Sequence, residues 1–312
     1  MVPFRELPWG QQSPPPWGMP GATLRGFALR ASMPTLQTWC DDTLNGVSSD
    51  SFVPAFPVVF LYLVHYPKLV ASGHEELGFS TQNEFFLMMP VLRLFAPFVP
   101  LELGWAFPFI GVDNGTSAIS GQMVVGLAKT LGEIDINEAG DGSYAANVSM
   151  LALTTFSPDT QQMVQPLLAI AANDPDPSAT AIAGGFPGSV LHIAEIKQEL
   201  SSEAIDLTDL PLTPASALAS GCFALRQIRD CGAPAEAALA DIVRMHWRSE
   251  NERDFRFWGD VAVDVFDNAT FPITDALGLI GGVPLPTGGL RYSPIASWGV
   301  TADLCLSARV LD

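Results

Sequence analysis

Along residues 53–66 apolar side chains follow one another almost without a break, through Phe56, Val58, Val59, Phe60, Tyr62 and Val64. A run of this length, rich in β-branched and aromatic residues, predicts a buried strand. Residues 21–32 predict another strand before it, and between the two residues 33–44 predict a short helix with Asp41 and Asp42 near its end. Residues 78–93 and 103–112 are again strand-like and bounded by glycine and proline. The apolar stretch from Phe85 to Val112 is long enough to cross a membrane. Pro90, Pro97, Pro100 and Pro108 interrupt it, however, and Arg93 and Glu102 charge it, so it reads as successive buried strands joined by turns. Glu133-Ile134-Asp135-Ile136-Asn137 alternates as a half-buried strand does, and Gly140-Asp141-Gly142 turns it into a hairpin partner over residues 143–156.

In the second half, residues 221–247 predict two helical pieces, 223–229 and 234–247, parted by Cys231-Gly232. Strands return over 257–266, 290–300 and 302–310. Asp174-Pro175-Asp176-Pro177, Gly184-Gly185-Phe186-Pro187-Gly188 and residues 206–214 predict loops. The middle one is a lid candidate and not a phosphate loop, since no Gly-Lys-Ser/Thr follows it. Residues 1–20 hold too much proline for a helix or central strand and predict an extended arm, docked through Trp9 and Trp17 on the body or on a neighbouring subunit. No internal repeat or heptad is present. The pattern as a whole predicts an arm over 1–20 and a single domain over 21–312, mainly β in an α+β setting.

Lysine is scarce in this chain, occurring only at Lys68, Lys129 and Lys197. Lys129 lies inside Gly121-Gln122-Met123-Val124-Val125-Gly126-Leu127-Ala128-Lys129-Thr130-Leu131, and an ammonium held among Leu127, Ala128 and Leu131 is costly to desolvate. A lysine so placed tends to lose its proton and become a nucleophilic amine. The competing reading is a lysine at a strand or turn edge that snorkels its head into water.

The stretch from Phe107 to Ile134 resembles the acetoacetate decarboxylase family. In that family a segment ending in Asp-Asn, here Asp113-Asn114, leads to a Gly-Arg-Glu turn and then to a Pro-Lys-Lys-Leu run whose first lysine forms a Schiff base. An ungapped match from Gly121 sets Lys129 on that lysine. Glu84, six residues before Pro90, falls where the family has a pocket glutamate followed by a proline at the same spacing. The departures are Gln122-Met123 for Arg-Glu, Ala128 for the proline and Thr130 for the second lysine. Leu61 corresponds to a second family carboxylate, and Arg25 or Arg30 to a pocket arginine, although a surface arginine is the simpler reading of each. In the family the amine is activated by desolvation or by a cationic neighbour; with Thr130 in that neighbour's place, desolvation alone remains. Ala224-Leu225-Arg226-Gln227-Ile228-Arg229-Asp230 resembles an element of larger acetoacetate decarboxylase-like proteins, with no chemical role attached to it.

Composition narrows the partners. Of the 312 residues, 48% are hydrophobic and 15% charged, which fits a globular enzyme with a generous apolar interior. The formal net charge of −18 repels phosphate backbones and anionic membranes, so neither nucleic acid nor membrane is an expected partner. The same charge weighs against a small free keto acid, although it also suits the solubility of a cytoplasmic protein. Cys40, Cys222, Cys231 and Cys305 form no CxxC or CxxH pair and read as free thiols in a reducing compartment. The sequons at Asn114, Asn147 and Asn268 read as chance, because no leader-like N-terminus precedes them. His65 and His74 stand at no metal spacing from another histidine.

The resemblance implies an antiparallel, closed or nearly closed β-barrel or cone with flanking helices whose interior keeps Lys129 dry. It implies a homo-oligomer and requires no metal or organic cofactor. Lys129 and Glu84 are the catalytic candidates, and Gln122, Met123, Leu127, Thr130, Leu61 and Arg25 the pocket candidates. Three functions fit. The first is a Schiff-base-forming carbon–carbon lyase acting on a β-keto acid. The second is an aldolase, dehydratase or cyclase for a larger apolar carbonyl compound, and the third a non-catalytic barrel that binds a hydrophobic ligand.

Overall fold

In the computed structural model, residues 12–95, 99–176 and 221–311 are described. The predicted loops at Gly184–Gly188 and 206–214, as well as Trp9 and Lys197, lie outside them. The chain runs through β1 (Trp17–Arg30), α1 (Met33–Thr43), β2 (Ser51–Pro54), β3 (Val58–Ala71), β4 (Ser80–Phe95) and β5 (Val99–Val112). Then come α2 (Gly115–Ser120), a single π-helical turn (Gly121–Val125), β6 (Lys129–Glu138), β7 (Tyr144–Ala152), β8 (Met163–Asp176) and β9 (Gly221–Arg229). The last elements are β10 (Ala237–Val265), α3 (Ile273–Leu277), β11 (Val283–Pro284), β12 (Leu290–Tyr292) and β13 (Ala296–Val310).

Hydrogen bonding joins β10, β13, β1, β3, β4, β5, β6, β7 and β8 in that order, and β8 pairs back onto β10, so nine strands form a ring. Most neighbours are antiparallel. The expected antiparallel pairing gives way at β5, which pairs in parallel with both β6 and β9, so the sheet is mixed. The cause is the connection: α2 and the π turn carry the chain back across the end of β5, and β6 restarts in the same direction as its neighbour, as a crossover allows.

Other expectations are also revised. Residues 221–247 are strands β9 and β10, not helices; β10 has β9 on one side and β13 on the other, and Phe223, Ile242, Val243 and Met245 are buried. Alanine-rich helix propensity, worth tenths of a kcal/mol per residue, yields here to backbone pairing on two edges. Asp174–Asp176 continues β8 against β10 instead of looping out. Trp17 to Pro20, expected in the arm, opens β1, and residues 290–300 and 302–310 divide into β12 and one continuous β13.

Side chains of the central strands alternate between two cores, as a pleated strand requires. Phe27, Leu61, Leu63, Phe85, Leu87, Ile134, Ala146, Leu168 and Val263 belong to the first core, which α1 and α3 join through Leu36, Cys40 and Leu277. Leu24, Phe60, Tyr62, Val64, Tyr66, Phe86, Trp105, Leu127 and Trp298 belong to the second. Leu61 is therefore a member of the first core, fully buried. Truncating Leu61→Ala is expected to cost about 2–5 kcal/mol of unfolding free energy, read from urea denaturation.

Candidate active site

Lys129 opens β6 with its side chain on the face of the second core, 8% exposed. Its Nζ donates to Oε2 of Glu84 at 3.0 Å and to Oγ of Ser117 at 3.1 Å. Glu84, on β4, is 4% exposed, and the same Oε2 also accepts from Nε2 of Gln82. An ammonium and a carboxylate this deep are tolerated because they compensate each other and are hydrogen-bonded besides.

Several local devices aim the lysine. Gln122 donates from Nε2 to the Lys129 carbonyl at 2.7 Å, the Lys129 amide reaches the Leu127 carbonyl at 2.7 Å, and the Leu127 amide reaches that of Gly121 at 3.0 Å. A Cβ on Gly121 would stand 2.7 Å from Cδ of Lys129, so only glycine lets the aliphatic stem lie along the π turn. Gly126 closes the turn at φ +76°, and its bare Cα packs on the backbone of Arg226. Arg226 donates to the Val124 carbonyl at 3.1 Å while Asp241 grips its guanidinium from β10. The element around Arg226, for which the sequence suggested no role, thus clamps the turn that leads to Lys129.

Glu84 is set by its neighbour. The Asn83 amide donates to Asp113 Oδ1 at 2.8 Å, Asn83 Nδ2 donates to the Ile134 carbonyl at 2.9 Å, and Asn83 Oδ1 meets Nδ1 of His65 at 2.8 Å. One residue therefore ties β4 to β3, β6 and the end of β5. Burial raises the Asp113 carboxyl above its ordinary range. Asn114 caps α2 by accepting from the Ser117 amide at 3.0 Å, and this holds Ser117 toward Lys129.

Lys129, Glu84 and Ser117 face a cavity of about 260 Å³, with walls that include Trp17, Tyr66, Leu127, Trp247 and Leu306. Ser13 also reaches it, fastened by its amide to Ser120 Oγ at 2.9 Å and accepting from Trp17 Nε1 at 2.8 Å. At the rim stand Leu77 and Phe79 of the β3–β4 hairpin, 65% and 63% exposed. Tyr66 is 1% exposed, and burial together with the nearby Glu84 charge raises its phenol well above the ordinary tyrosine range.

Of the residues singled out in the sequence, the cavity brings together Lys129, Glu84 and Leu127. The other pocket candidates lie elsewhere. Leu61 sits in the first core, on the opposite face of β3 from Tyr66. Thr130, next along the strand from Lys129, turns away from it, and Met123 is exposed. Gln122 acts through the backbone of Lys129 and does not line the cavity. Arg25 is buried on the first face between the rings of Tyr144 and Trp258, bound to the Leu24 carbonyl at 2.9 Å and paired with Glu138. Lys129 itself is sheltered on the second face by the N-terminal segment, the π turn and the hairpin, and not by the core that most ring strands share. Sequence reasoning missed Ser117, Gln82, Tyr66 and Trp247. The alternation of β4 offered a signal for Gln82, which lies two residues from Glu84 on the same face; nothing local marked the others.

Among the described residues no three His, Cys, Asp or Glu side chains gather as metal ligands, and no helix is long and apolar enough to cross a membrane. No family model matches the chain, and no curated protein matches it by sequence. Solved structures do. Acetoacetate decarboxylase from Legionella pneumophila superposes with a TM-score of 0.64 at 12% identity, over 100% of this chain and 92% of that one. The fold is that of acetoacetate decarboxylase. The enduracididine biosynthesis enzyme MppR, bound to the condensation product of pyruvate and imidazole 4-carboxaldehyde, matches at 0.56 and 12% identity, over 97% and 92% of the two chains. An acetoacetate decarboxylase-like enzyme from Sphingomonas wittichii matches at 0.52 and 13%, over 95% and 92%. The structural neighbours are thus enzymes of one fold and more than one activity.

The packing around the lysine sets two expected outcomes. Gly121→Ala displaces the Lys129 stem, and it is expected to abolish selective modification of Lys129 by an aldehyde probe while the thermal midpoint falls by only a few degrees. Glu84→Ala leaves a buried ammonium unpaired and is expected to cost about 3–5 kcal/mol. The double variant Glu84→Leu/Lys129→Met removes both charges and recovers most of that loss in the same denaturation assay.

Proposed function

We propose that this protein is a Schiff-base-forming enzyme, a carbon–carbon lyase in which Lys129 is the nucleophile and Glu84 its proton acceptor. The observation that carries the reading is one lysine nitrogen, buried, 3.0 Å from a carboxylate and open to a cavity that is otherwise mostly apolar. Glu84 relieves the ammonium of a proton, the nitrogen adds to a carbonyl carbon and water leaves, so that an iminium stands where the ammonium stood. Nitrogen carries a positive charge at the start and at the end of the sequence, and Glu84, its proton passed on to the departing oxygen, faces that charge as a carboxylate at both. An iminium so held is an electron sink for the pair released when a neighbouring carbon–carbon bond breaks or a proton leaves.

The fold likeness supports loss of carbon dioxide from a β-keto acid as one outcome. The charge count favours the second: aldol-type cleavage or condensation, dehydration or cyclisation of an uncharged, apolar carbonyl compound. Among the described lining residues Lys129 and Glu84 are the only charged groups, and each compensates the other. A substrate carboxylate would bring a second anion with no second cation to meet it, at a desolvation cost of several kcal/mol. The exposed Leu77 and Phe79 at the rim offer apolar contact to a ligand larger than a keto acid. That an enzyme of this fold holds an aldehyde–pyruvate condensation product supports carbon–carbon bond formation as chemistry the fold accommodates.

Incubation with cyclohexanone and cyanoborohydride, followed by digestion and mass analysis, is expected to give the reduced ketone adduct on the peptide carrying Lys129, and none in Lys129→Ala. Acetoacetate at equal concentration is expected to label at least about tenfold less, as an uncompensated buried charge requires. Labelling spread over other amines, or unchanged in the variant, leaves a non-catalytic apolar-ligand barrel as the better description.

A further inference from the structure

The proton traffic at Lys129 requires a second group. Turning a ketone and an ammonium into an iminium and water moves two protons from nitrogen to oxygen. The carbon–nitrogen bond forms as the carbonyl π pair becomes a lone pair on oxygen, and the carbon–oxygen bond later breaks with that oxygen leaving as water. Glu84 receives protons at the nitrogen, but a lone carboxylate on the nitrogen's side does not meet the oxygen as negative charge develops there.

We propose that Tyr66 is the acid that protonates the substrate's carbonyl oxygen, in a circuit with Glu84 that returns each proton lost by Lys129. This rests on the Schiff-base reading above. Tyr66 lies on β3 directly across from Gln82, whose amide holds Oε2 of Glu84, so Tyr66 and Glu84 are diagonal neighbours on one face of the β3–β4 pair. Their Cβ atoms are then roughly 7–8 Å apart, a span that leaves room for a carbonyl group between the two side chains. Both side chains line the cavity.

The other hydroxyls on the cavity belong to alcohols: Ser117, Ser120 and Ser13, which accept bonds from Nζ of Lys129, the Ser13 amide and the Trp17 indole, and Ser80 and Thr116. A phenol is also a far stronger acid than an alcohol and a suitable donor to a forming alkoxide. Burial and the Glu84 charge keep the Tyr66 proton in place until such a base appears. The balance closes: Tyr66 gives its proton to oxygen, Glu84 takes one from nitrogen, and transfer from Glu84 to the phenolate resets both. A second passage supplies the proton with which water departs.

The test is exchange of an isotopically labelled carbonyl oxygen, which every cycle of iminium formation and hydrolysis replaces with solvent oxygen. With cyclohexanone and the full-length protein, Tyr66→Phe is expected to slow exchange by about 100-fold or more. Prolonged cyanoborohydride trapping should still place the adduct on Lys129, and the thermal midpoint should stay within a few degrees, because removing an acid changes the rate and not the end point. Exchange at the native rate in Tyr66→Phe overturns the proposal. Loss of exchange and of the trapped end point together assigns Tyr66 a purely structural part and equally overturns it. If the native protein neither exchanges oxygen nor traps ketone, the Schiff-base reading itself falls, an outcome distinct from both.

Discussion

Two opposite charges share one oxygen-to-nitrogen contact in an apolar wall, and much of the local architecture exists to make that contact tolerable. Either group alone at such depth would be expelled or neutralised, since several kcal/mol of lost hydration has no other compensation there. Together with Gln82 and Ser117 they are satisfied where water is scarce. Such a pair contributes little net stability, so its presence among Trp17, Leu127 and Leu306 speaks for chemistry more than for folding.

Support for the pair comes from three directions in the chain. Asn83 welds β4 to its neighbours at the position of Glu84. The π turn, with Gly121 beneath the lysine stem and Gln122 on its carbonyl, sets where β6 begins. Arg226, arriving from β9 with Asp241 behind it, holds that turn by the Val124 carbonyl. A π turn is an uncommon element that recurs at functional sites, where its extra residue re-aims the side chains beyond it. In this chain the side chain it re-aims is that of Lys129. The parallel pairing of β6 with β5 is the same fact seen from the sheet.

The likeness to acetoacetate decarboxylase at 12% identity shows how little sequence a fold needs in common with another to be shared. It also separates architecture from specificity. One fold can carry different pockets, and among the described lining residues of this one Lys129 and Glu84 are the only charged groups.

Strands with an unbroken apolar run or strict alternation, such as β3, β4 and β6, were legible from their residues because period-two patterning is a local property that burial on a sheet face enforces. So was α1. Lys129 was legible because a rare charge in an apolar stretch is anomalous by itself, and Glu84 through the family resemblance, which has a glutamate followed by a proline at the same spacing. The strands over residues 221–247 were not, since alanine and arginine there favour a helix locally and pairing with partners far along the chain overrides them. Nor were the true neighbours of the lysine. Leu61 and Arg25 fell on the wrong face because a one-residue shift reverses a side chain's direction, and register is set by partner strands. Tyr66, Ser117 and Trp247 meet Lys129 from separate elements, across a cavity that exists only once distant segments have closed around it.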